Sequence, residues 1–262
     1  METKEYIKSY YEGYDENGRL ISKHGAVEFI TTMKYIEKYL RPGMRILEIG
    51  AATGRYSHAL AQKGCRVDAV ELVEHNIEIF RQNTAEGENV SITQGNAMDL
   101  SAFENDAYDI TLLLGPMYHL FTMEDKLKAL SEAIRVTKKG GIIFAAYCMG
   151  DASVLSYGFK RGEIYSLIEK CMLNTETFDT FSNPWDIFEL HRKEDIDKLR
   201  AGFRVSQLHF IASDGYTNHM RETVDQMDDR MYELYLKYHL ATCERQDMVG
   251  YSHHTLDIFR KE

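Results

Sequence analysis

The sequence predicts an α/β fold built on a mostly parallel sheet with helices on both faces. Between residues 44 and 147, apolar segments that suit strands alternate with segments that suit helices. The strand-like segments are almost continuously apolar, which is typical of parallel strands buried on both faces. Right-handed crossovers would bring the carboxyl ends of these strands to one edge of the sheet, where ligands bind.

The alternation places the elements of this core in order. We predict strands at residues 44–49, 65–71, 90–94, 108–114 and 141–147, with helices at 54–63, 74–84 and 123–137. An earlier helix is predicted at 26–40, where apolar residues recur at three- and four-residue steps and Pro42 and Gly43 end the pattern. Its apolar face consists of Phe29, Met33, Ile36 and Leu40.

The alternation stops after Ala146 and resumes near the C-terminus. Residues 150–202 hold many aromatic side chains among helix-like segments, so we predict a helical cap over the carboxyl edge of the sheet. Those aromatics form either a small satellite core or substrate contacts. A strand at 203–212, a helix at about 218–240 and a last strand at roughly 250–260 follow. The predicted apolar stripe of that helix is Val224, Met227, Met231, Leu234 and Tyr238.

The first 24 residues are polar and rich in tyrosine, which is unusual for a disordered tail. The tyrosines are Tyr6, Tyr10, Tyr11 and Tyr14. Either a helix packs its aromatic side on the domain, or the segment is an arm that folds over a bound ligand. The predicted divisions are an N-terminal arm and helix closing the site at 1–40, a ligand-binding core at 41–149, the cap at 150–202, and a segment completing the sheet at 203–262.

Composition and charge limit the classes of function. The chain has 262 residues, which suits one α/β domain with an elaboration or two small domains. With 31 basic and 41 acidic residues its net charge is −10, which argues against a broad nucleic-acid surface. No apolar run approaches the roughly 18 residues of a membrane span, and the charged N-terminus does not resemble a signal peptide. We therefore expect neither nucleic acid nor membrane as a partner.

The cysteines favour a reducing environment. Cys65, Cys148, Cys171 and Cys243 are widely spaced and form no CxxC pair. This spacing is typical of a reduced protein with buried thiols, so we expect a cytoplasmic location. No feature of the sequence indicates an oligomeric state.

The turn after the first strand is the best candidate for a ligand site. Gly50 and Gly54 bracket Ala51 and Ala52, so no large side chain blocks a ligand from lying across the turn. Free N–H groups at the start of the following helix favour a polar or anionic ligand group. The second strand ends in Glu71, about twenty residues after the turn, where a ribose-binding carboxylate belongs.

These motifs resemble those of class I S-adenosylmethionine-dependent methyltransferases of the small-molecule branch. The resemblance covers about residues 40–150, and the motifs are LEIGAATG at 47–54, the acid Glu71, GNAMD at 95–99, LLGPMYHL at 113–120 and RVTKKGG at 135–141. It implies a Rossmann-like, seven-stranded methyltransferase sheet, mostly parallel with an antiparallel last strand. It also implies S-adenosylmethionine as the cofactor.

The resemblance implies which residues hold that cofactor. Glu48 would hold the ammonium end, Glu71 would accept from both ribose hydroxyls, and Arg19 would pair with the methionine carboxylate. Asn96 stands where the family usually has Asp, and its amide oxygen can accept from the adenine amino group. The predicted cofactor contacts are Tyr11, Arg19, Glu48, Gly50, Ala51, Ala52, Gly54, Tyr56, Glu71, Leu72, Asn96, Ala97, Met98, Leu114 and Gly115.

Methyl transfer depends mainly on alignment and on the exclusion of water. The leaving group is a neutral thioether, so a base is needed only for an acceptor that arrives protonated. His119 is the best candidate base, with Tyr118 beside it to orient the acceptor, because both follow the fourth strand at the active edge. A packed, hydrogen-bonded histidine is the alternative interpretation of His119.

Three aromatic residues outside these motifs are candidate substrate contacts: Tyr14, Trp185 and His239. His239 and Cys243 lie four residues apart on a predicted helix, with two further histidines downstream. This spacing matches no closed structural zinc site, so no metal is expected.

The leading hypothesis is a methyltransferase that acts on a small-molecule acceptor in a capped cleft. A non-catalytic S-adenosylmethionine-binding sensor or partner subunit is the alternative, because binding residues alone do not prove turnover. A nicotinamide-dependent oxidoreductase fits less well, because its GxGxxG fingerprint would need glycine at Ala52 and a small residue at Arg55. No motif identifies the acceptor or the accepting atom.

Overall fold

The inner strands of the central sheet are buried on both faces. The computed structural model describes residues 3–16 and 18–262. In β1, every residue from Ile46 to Ile49 is buried. The strands are β1 (Arg45–Ile49), β2 (Arg66–Glu71), β3 (Val90–Gln94), β4 (Tyr108–Leu113), β5 (Thr137–Met149), β6 (Leu190–His191), β7 (Val205–Ala212) and β8 (His254–Lys261).

Helices precede, connect and follow these strands. They are α1 (Thr3–Glu12), α2 (Lys23–Glu37), α3 (Arg55–Gln62), α4 (Glu74–Asn83), α5 (Met123–Val136), α6 (Gly150–Ser153), α7 (Ile164–Glu169), α8 (Lys193–Ala201), α9 (Arg221–Asp225) and α10 (Asp229–Thr242). A π-helix spans Val154–Lys160, and 3-10 turns lie at Pro116–Tyr118, Pro184–Asp186, Thr217–Met220 and Val249–Tyr251.

The strands lie in the order β3-β2-β1-β4-β5-β8-β7. Neighbours are parallel except at β8, which lies antiparallel between β5 and β7. The two-residue β6 pairs in parallel with the end of β5 and adds an eighth strand to the seven expected. The predicted Rossmann-like sheet with an antiparallel last strand is confirmed, and the carboxyl ends of β1, β2 and β4 meet at one edge.

The helices join the core through a few large apolar side chains. Ile36 of α2, Leu60 of α3 and Phe80 of α4 are almost fully buried. Helix α2 begins three residues before the predicted start at 26, because the Ser22 side chain caps it by accepting from the N–H of Gly25.

The helix predicted at 218–240 is broken into α9 and α10, and its predicted apolar stripe is wrong. Asp228 starts a new helix by accepting a hydrogen bond from the N–H of Met231 at 2.8 Å. Val224 and Met227, before the break, are buried. Three side chains after it are exposed: Met231 (52%), Leu234 (60%) and Tyr238 (57%). The periodicity therefore does not continue across the break.

The segment predicted as a helical cap differs from expectation in two ways. Its last part belongs to the core of the domain, because residues 190–191 form β6 and the buried Ile196 and Leu199 pack α8 on the core. Most of its aromatic side chains are exposed instead of forming a satellite core: Tyr157, Phe159, Tyr165, Phe178, Phe181 and Trp185. Phe188 does pack, with its ring centroid 5.4 Å from that of His119.

All four cysteines are unpaired. Cys65, Cys148 and Cys243 are buried as predicted, but Cys171 is exposed, which corrects the expectation of four buried thiols. Among residues 3–16 and 18–262, none of the helices has the length and hydropathy that a membrane crossing demands.

Comparing Gly50 with Gly43 measures how much the close contact between Gly50 and Pro116 contributes to the free energy of unfolding. Gly50 and Gly43 both have left-handed φ angles, +78° and +82°, but a Cβ on Gly50 would lie 2.7 Å from Cδ of Pro116, whereas one on Gly43 meets nothing within 4 Å. We expect Gly43→Ala to lower the free energy of unfolding by about 1–2 kcal/mol through backbone strain alone. Gly50→Ala should lower it by roughly 1–3 kcal/mol more. Urea titration measures both, and equal losses would contradict the expectation.

Candidate functional site

A cavity of about 680 Å³ opens at the carboxyl ends of β1, β2 and β4. Its walls come from the turn after β1, the ends of β2 and β4, the loops after β3 and β4, and one side of α1. The volume lies in the range of small-molecule sites, and this edge is where open α/β sheets bind their ligands.

Backbone geometry keeps the turn after β1 open. Gly50 has φ +78° and lies so close to Pro116 that a side chain would collide. Ala52 has φ +47°, and its N–H donates to Oε2 of Glu71 at 2.9 Å. Gly54 does not line the cavity, contrary to prediction. A Cβ there would lie 2.5 Å from Cδ2 of Phe80, so this glycine serves the packing of α3 against α4.

Glu71 is held at the end of β2 by two backbone donors. Its Oε1 accepts from the N–H of Val73 at 2.9 Å, and its Oε2 accepts from Ala52 at the same distance. The side-chain amide of Asn76 lies 3.5 Å from Oε1. Burial raises the pKa of Glu71, and these hydrogen bonds oppose the rise. A carboxylate has about four acceptor sites, so Glu71 can still accept from a ligand hydroxyl.

Glu48 is a buried carboxyl group near the end of β1. The hydroxyl of Ser57 donates to its Oε2 at 2.5 Å. Burial raises the pKa of Glu48 to about 8, because the ionised form loses its hydration, and the hydrogen bonds from Ser57 offset only part of that rise. Glu48 therefore carries a proton at neutral pH and would ionise beside a bound cation.

The loop after β3 forms another wall of the cavity. Ala97 is buried, and it lines the cavity together with Met98. The side-chain oxygen of Asn96 accepts from the N–H of Met98 at 3.0 Å. This oxygen, predicted to meet an adenine amino group, is therefore partly used by its own loop and keeps one acceptor site.

Helix α1 lies beside the cavity, and Ile7 and Tyr11 line it. Tyr10 and Tyr14 stack on each other, with ring centroids 5.2 Å apart. The Tyr10 ring also meets Phe188, with ring centroids 5.9 Å apart, so the helix packs on the domain as one interpretation predicted. That the arm folds over a bound ligand stays a prediction. Residues 1, 2 and 17 of the arm predicted at 1–40 lie outside the described residues.

Arg19 reaches the cavity wall between two carboxylates. Its Nε donates to Glu16 at 2.9 Å, and its Nη1 and Nη2 donate to the two oxygens of Glu28 at 2.7 and 3.3 Å. These bonds use three of the five N–H groups of a guanidinium. Burial would lower the pKa of Arg19, but Glu28 and Glu16 outweigh it and hold that pKa well above its usual value.

His119 joins α1 to the cap. Its Nδ1 donates to the carbonyl of Ile187 at 2.7 Å, so Nε2 is the acceptor for the Tyr11 hydroxyl at 3.0 Å. Ile187 has φ +60°, a strained angle for a β-branched residue. Burial lowers the pKa of His119 to about 4, so the imidazole is neutral at physiological pH. His119 is thus both a packed, hydrogen-bonded histidine and part of the cavity wall.

Tyr118 also lines the cavity, but its hydroxyl donates to the carbonyl of Leu114 at 2.8 Å. The group expected to orient an acceptor is therefore engaged in its own loop. The backbone carbonyl of Tyr118 accepts from the N–H of Glu189, whose side chain pairs with Lys126 at 2.5 Å. The cap is thereby fastened to the loop after β4.

The structure gathers the predicted cofactor contacts, Gly54 excepted, around one cavity. They are Tyr11, Arg19, Glu48, Gly50, Ala51, Ala52, Tyr56, Glu71, Leu72, Asn96, Ala97, Met98, Leu114 and Gly115.

The three predicted substrate contacts are not part of the cavity wall. Trp185 points to solvent and is 61% exposed. Tyr14 is used in the stack with Tyr10. His239 is buried against Gly215, and a Cβ added to Gly215 would lie 3.0 Å from Nδ1 of His239.

Sequence interpretation missed several residues of the wall: Thr3, Lys4, Ile7, Glu16, Leu20, Leu120, Phe121, Thr122, Asp125 and Pro184. Ile7 could have been found, because it lies four positions before Tyr11 and therefore on the same face of a helix. Leu120 ends the motif at 113–120, and Phe121 follows it directly. No local sequence pattern could have predicted Pro184 as a wall residue, because only the tertiary fold brings the segment at 150–202 to the cavity.

Among the described residues, Glu28, Asp214 and His254 offer ligand atoms within 4.8 Å of one another. Protein cations already occupy these carboxylates, since Arg19 is bonded to Glu28 and His254 lies 2.8 Å from Asp214. Of His239 and Cys243, the pair considered as a zinc site, the Cys243 sulfur lies 3.4 Å from the hydroxyl of Tyr35.

Comparison with known proteins relates this geometry to one kind of domain. Residues 46–141 match the model of a family described as a methyltransferase domain. A demethylmenaquinone methyltransferase from Clavibacter sepedonicus is 36% identical over 102 residues, which are 38% of this chain and 40% of that relative. The chain thus spans about two fifths of the length of the curated relatives that it matches.

Two solved structures share the fold over most of the chain. A SAM-dependent methyltransferase from Methanosarcina mazei has a TM-score of 0.57 and 17% identity, covering 87% of this chain and 96% of its own. Magnesium protoporphyrin IX methyltransferase from Synechocystis PCC 6803, with bound SAH, has a TM-score of 0.60 and 13% identity and covers 100% of both chains. At these identities the likeness concerns the fold.

The raised pKa of Glu48 predicts how stability changes with pH. Between its ordinary pKa and about 8, the unfolded chain ionises this group while the folded chain keeps the proton. Stability from this group is therefore lost as pH rises through that window. The side chain in Glu48→Gln cannot ionise. The melting temperature of this variant relative to the wild type should therefore increase from about pH 5 to about pH 8.

Differential scanning fluorimetry across this pH range measures the effect, with Glu74→Gln as the control at an exposed position. A constant difference between Glu48→Gln and the wild type would show that the pKa of Glu48 is not raised.

Proposed function

We propose that this chain, a member of the class I S-adenosylmethionine-dependent methyltransferase superfamily, transfers a methyl group from S-adenosylmethionine to a small-molecule acceptor in the capped cavity. The observation that carries the proposal is that the segment matching a methyltransferase domain, residues 46–141, supplies most of the wall of one cavity. The wall also holds donors and acceptors that suit each polar group of this cofactor.

The cofactor supplies an electrophilic methyl group on a sulfonium, whose leaving group is a neutral thioether. The residues of the chain bind and align it. Glu71 accepts from the ribose hydroxyls, and one of the two remaining N–H groups of Arg19 donates to the methionine carboxylate. Glu48 ionises to pair with the ammonium group. Burial of these groups excludes water, which strengthens each contact.

His119 is the residue that can take a proton from the acceptor. Its Nδ1–H is held by Ile187, so the lone pair lies on Nε2, where the Tyr11 hydroxyl now donates. An acceptor would pass its proton to Nε2 by displacing Tyr11 or through its hydroxyl. A base with a pKa of about 4 suits a proton that is lost late, after the bond to the methyl group has made it acidic.

We leave the acceptor at the level of a small molecule. The match to demethylmenaquinone methyltransferases supports the cofactor chemistry, but it covers only 38% of this chain. Apolar groups at the cavity, such as Ile7, Leu20 and Phe121, favour an acceptor with an apolar part. The unpaired cysteines support a reducing compartment, the cytoplasm, as the place of action.

Calorimetry tests the binding half of this proposal. We expect the protein to bind S-adenosylmethionine and S-adenosylhomocysteine but not nicotinamide dinucleotides. Glu71→Ala should weaken cofactor binding by about 1.5–3 kcal/mol, because two ribose hydroxyls lose a charged acceptor. Glu74→Ala removes the same charge from an exposed site three residues away and serves as the control. Unchanged affinity in Glu71→Ala would exclude it as the ribose acceptor.

Turnover is tested with methyl-labelled cofactor and fractionated small metabolites. We expect His119→Ala to lower kcat at saturating cofactor by about a hundredfold or more, with cofactor affinity nearly unchanged. Because the pKa of His119 is about 4, kcat of the wild type should show no histidine limb between about pH 5.5 and 7.

Two outcomes would revise this assignment. A small, pH-independent loss in His119→Ala would indicate positioning instead of proton transfer. Tight cofactor binding without transfer to any fraction would favour a sensor over an enzyme.

A further inference from the structure

We infer that Glu28 is a positioning residue that holds the Arg19 guanidinium at the cavity wall, and that His254 and Asp214 fix Glu28 in turn. The inference rests on the proposed function, since it takes Arg19 as the contact for the carboxylate of the cofactor's methionine part. It adds three side chains, those of Glu28, His254 and Asp214, that link the cavity wall to the start of β8 and to the loop after β7.

The contact between Glu28 and Arg19 fixes the plane of the guanidinium. Nη1 donates to Oε2 at 2.7 Å and Nη2 donates to Oε1 at 3.3 Å, so two roughly parallel bonds join the groups. Such a fork restricts rotation of the arginine more than a single bond does. Arg19 lines the cavity and Glu28 does not. Glu28 therefore acts on a ligand only through Arg19.

Glu16 holds Arg19 from a different direction. It accepts from Nε at 2.9 Å, it belongs to the segment between α1 and α2, and it lines the cavity itself. With Glu16 on the arm and Glu28 on α2, the guanidinium is clamped between a surface segment and the core. Its two unused N–H groups are thereby kept in a fixed orientation.

His254 and Asp214 form the support behind Glu28. Nδ1 of His254 lies 3.5 Å from Oε2 of Glu28 and 2.8 Å from Oδ2 of Asp214. Asp214 is almost fully buried and accepts from the hydroxyl of Ser252 at 2.6 Å. Burial would lower the pKa of His254, but Glu28 and Asp214 outweigh it and hold that pKa well above its usual value. The imidazole is therefore charged, so it attracts Glu28 electrostatically while its Nδ1–H donates to Asp214.

The charges of this cluster suit the complete cofactor. Arg19 and His254 are cations, and Glu16, Glu28 and Asp214 are anions, which leaves one excess negative charge. S-adenosylmethionine carries an ammonium, a sulfonium and one carboxylate, and therefore one excess positive charge. The cluster can orient the carboxylate through Arg19 while its net charge attracts the ligand as a whole.

A merely structural role for Glu28 makes a different prediction from a positioning role. A structural defect would weaken every ligand of the cavity to a similar extent. Loss of positioning would weaken only ligands that carry the carboxylate. S-adenosylhomocysteine and 5′-methylthioadenosine form the necessary pair, because both contain adenosine and a thioether but only the first has the amino-acid part.

The experiment measures the affinity of both ligands by calorimetry for the full chain and its variants. We expect Glu28→Gln and Arg19→Lys each to weaken S-adenosylhomocysteine about tenfold. Methylthioadenosine should change by less than about twofold in both variants. The double variant should lose little more affinity for S-adenosylhomocysteine than Arg19→Lys alone, because the two residues act through the same contact.

Glu37→Gln is the matched control, since Glu37 lies on the same helix in an exposed ion pair with Lys63. It should change neither affinity. If Glu28→Gln does not fold, Glu28→Asp keeps the charge and shortens the reach. It should weaken S-adenosylhomocysteine and spare methylthioadenosine.

Two results would overturn the inference alone. One is equal weakening of both ligands in the Glu28 variants, and the other is unchanged S-adenosylhomocysteine affinity in them while Arg19→Lys weakens it. Failure of the wild type to bind S-adenosylhomocysteine would instead overturn the proposed function, and this inference with it.

Discussion

One buried carboxylate, that of Glu71, ties together the two strand ends on which the cavity depends. It accepts from Ala52 in the turn after β1 and from Val73 at the start of α4. Without it, two N–H groups in this interior would lose their acceptor, at about 1–3 kcal/mol each. The same side chain that shapes the turn thus offers its remaining acceptor sites to a ligand. Stability and binding are therefore linked at this residue.

The cavity brings acidic groups close together without matching cations for all of them. Burial raises the pKa values of Glu48 and Glu71, because both carboxylates lose hydration when they are ionised in the cavity wall. A cationic ligand would remove this penalty, whereas an anionic one would add to it. The charge of the wall therefore favours cationic ligands over anionic ones, whatever their shape. A dinucleotide with two phosphates is a poor match for such a wall.

How well the sequence predicted the molecule depended on which physical signal each part carries. The strands from 45 to 113 and their helices were predicted to within about two residues, because buried apolar segments and glycine turns are local signals. The predicted apolar stripe on α10 is wrong, because Asp228 caps a new helix there and the periodicity does not continue across the break. Trp185 and His239 lie outside the cavity wall, because the identity of an aromatic residue does not determine where the fold places its side chain. Glu28 was missed because its partner Arg19 lies nine residues away, at no helical or strand spacing.

The exposed side of α10 has a consequence for the protein in solution. Met231, Leu234 and Tyr238 lie on one side of that helix and face water. At neutral pH a net charge of −10 keeps copies of the chain apart. Near the isoelectric point of about 5.5 that repulsion disappears, and salt screens it at any pH. Colloidal stability of this protein is therefore greatest in dilute buffers well above pH 5.5 and decreases toward acid, even where the fold itself stays intact.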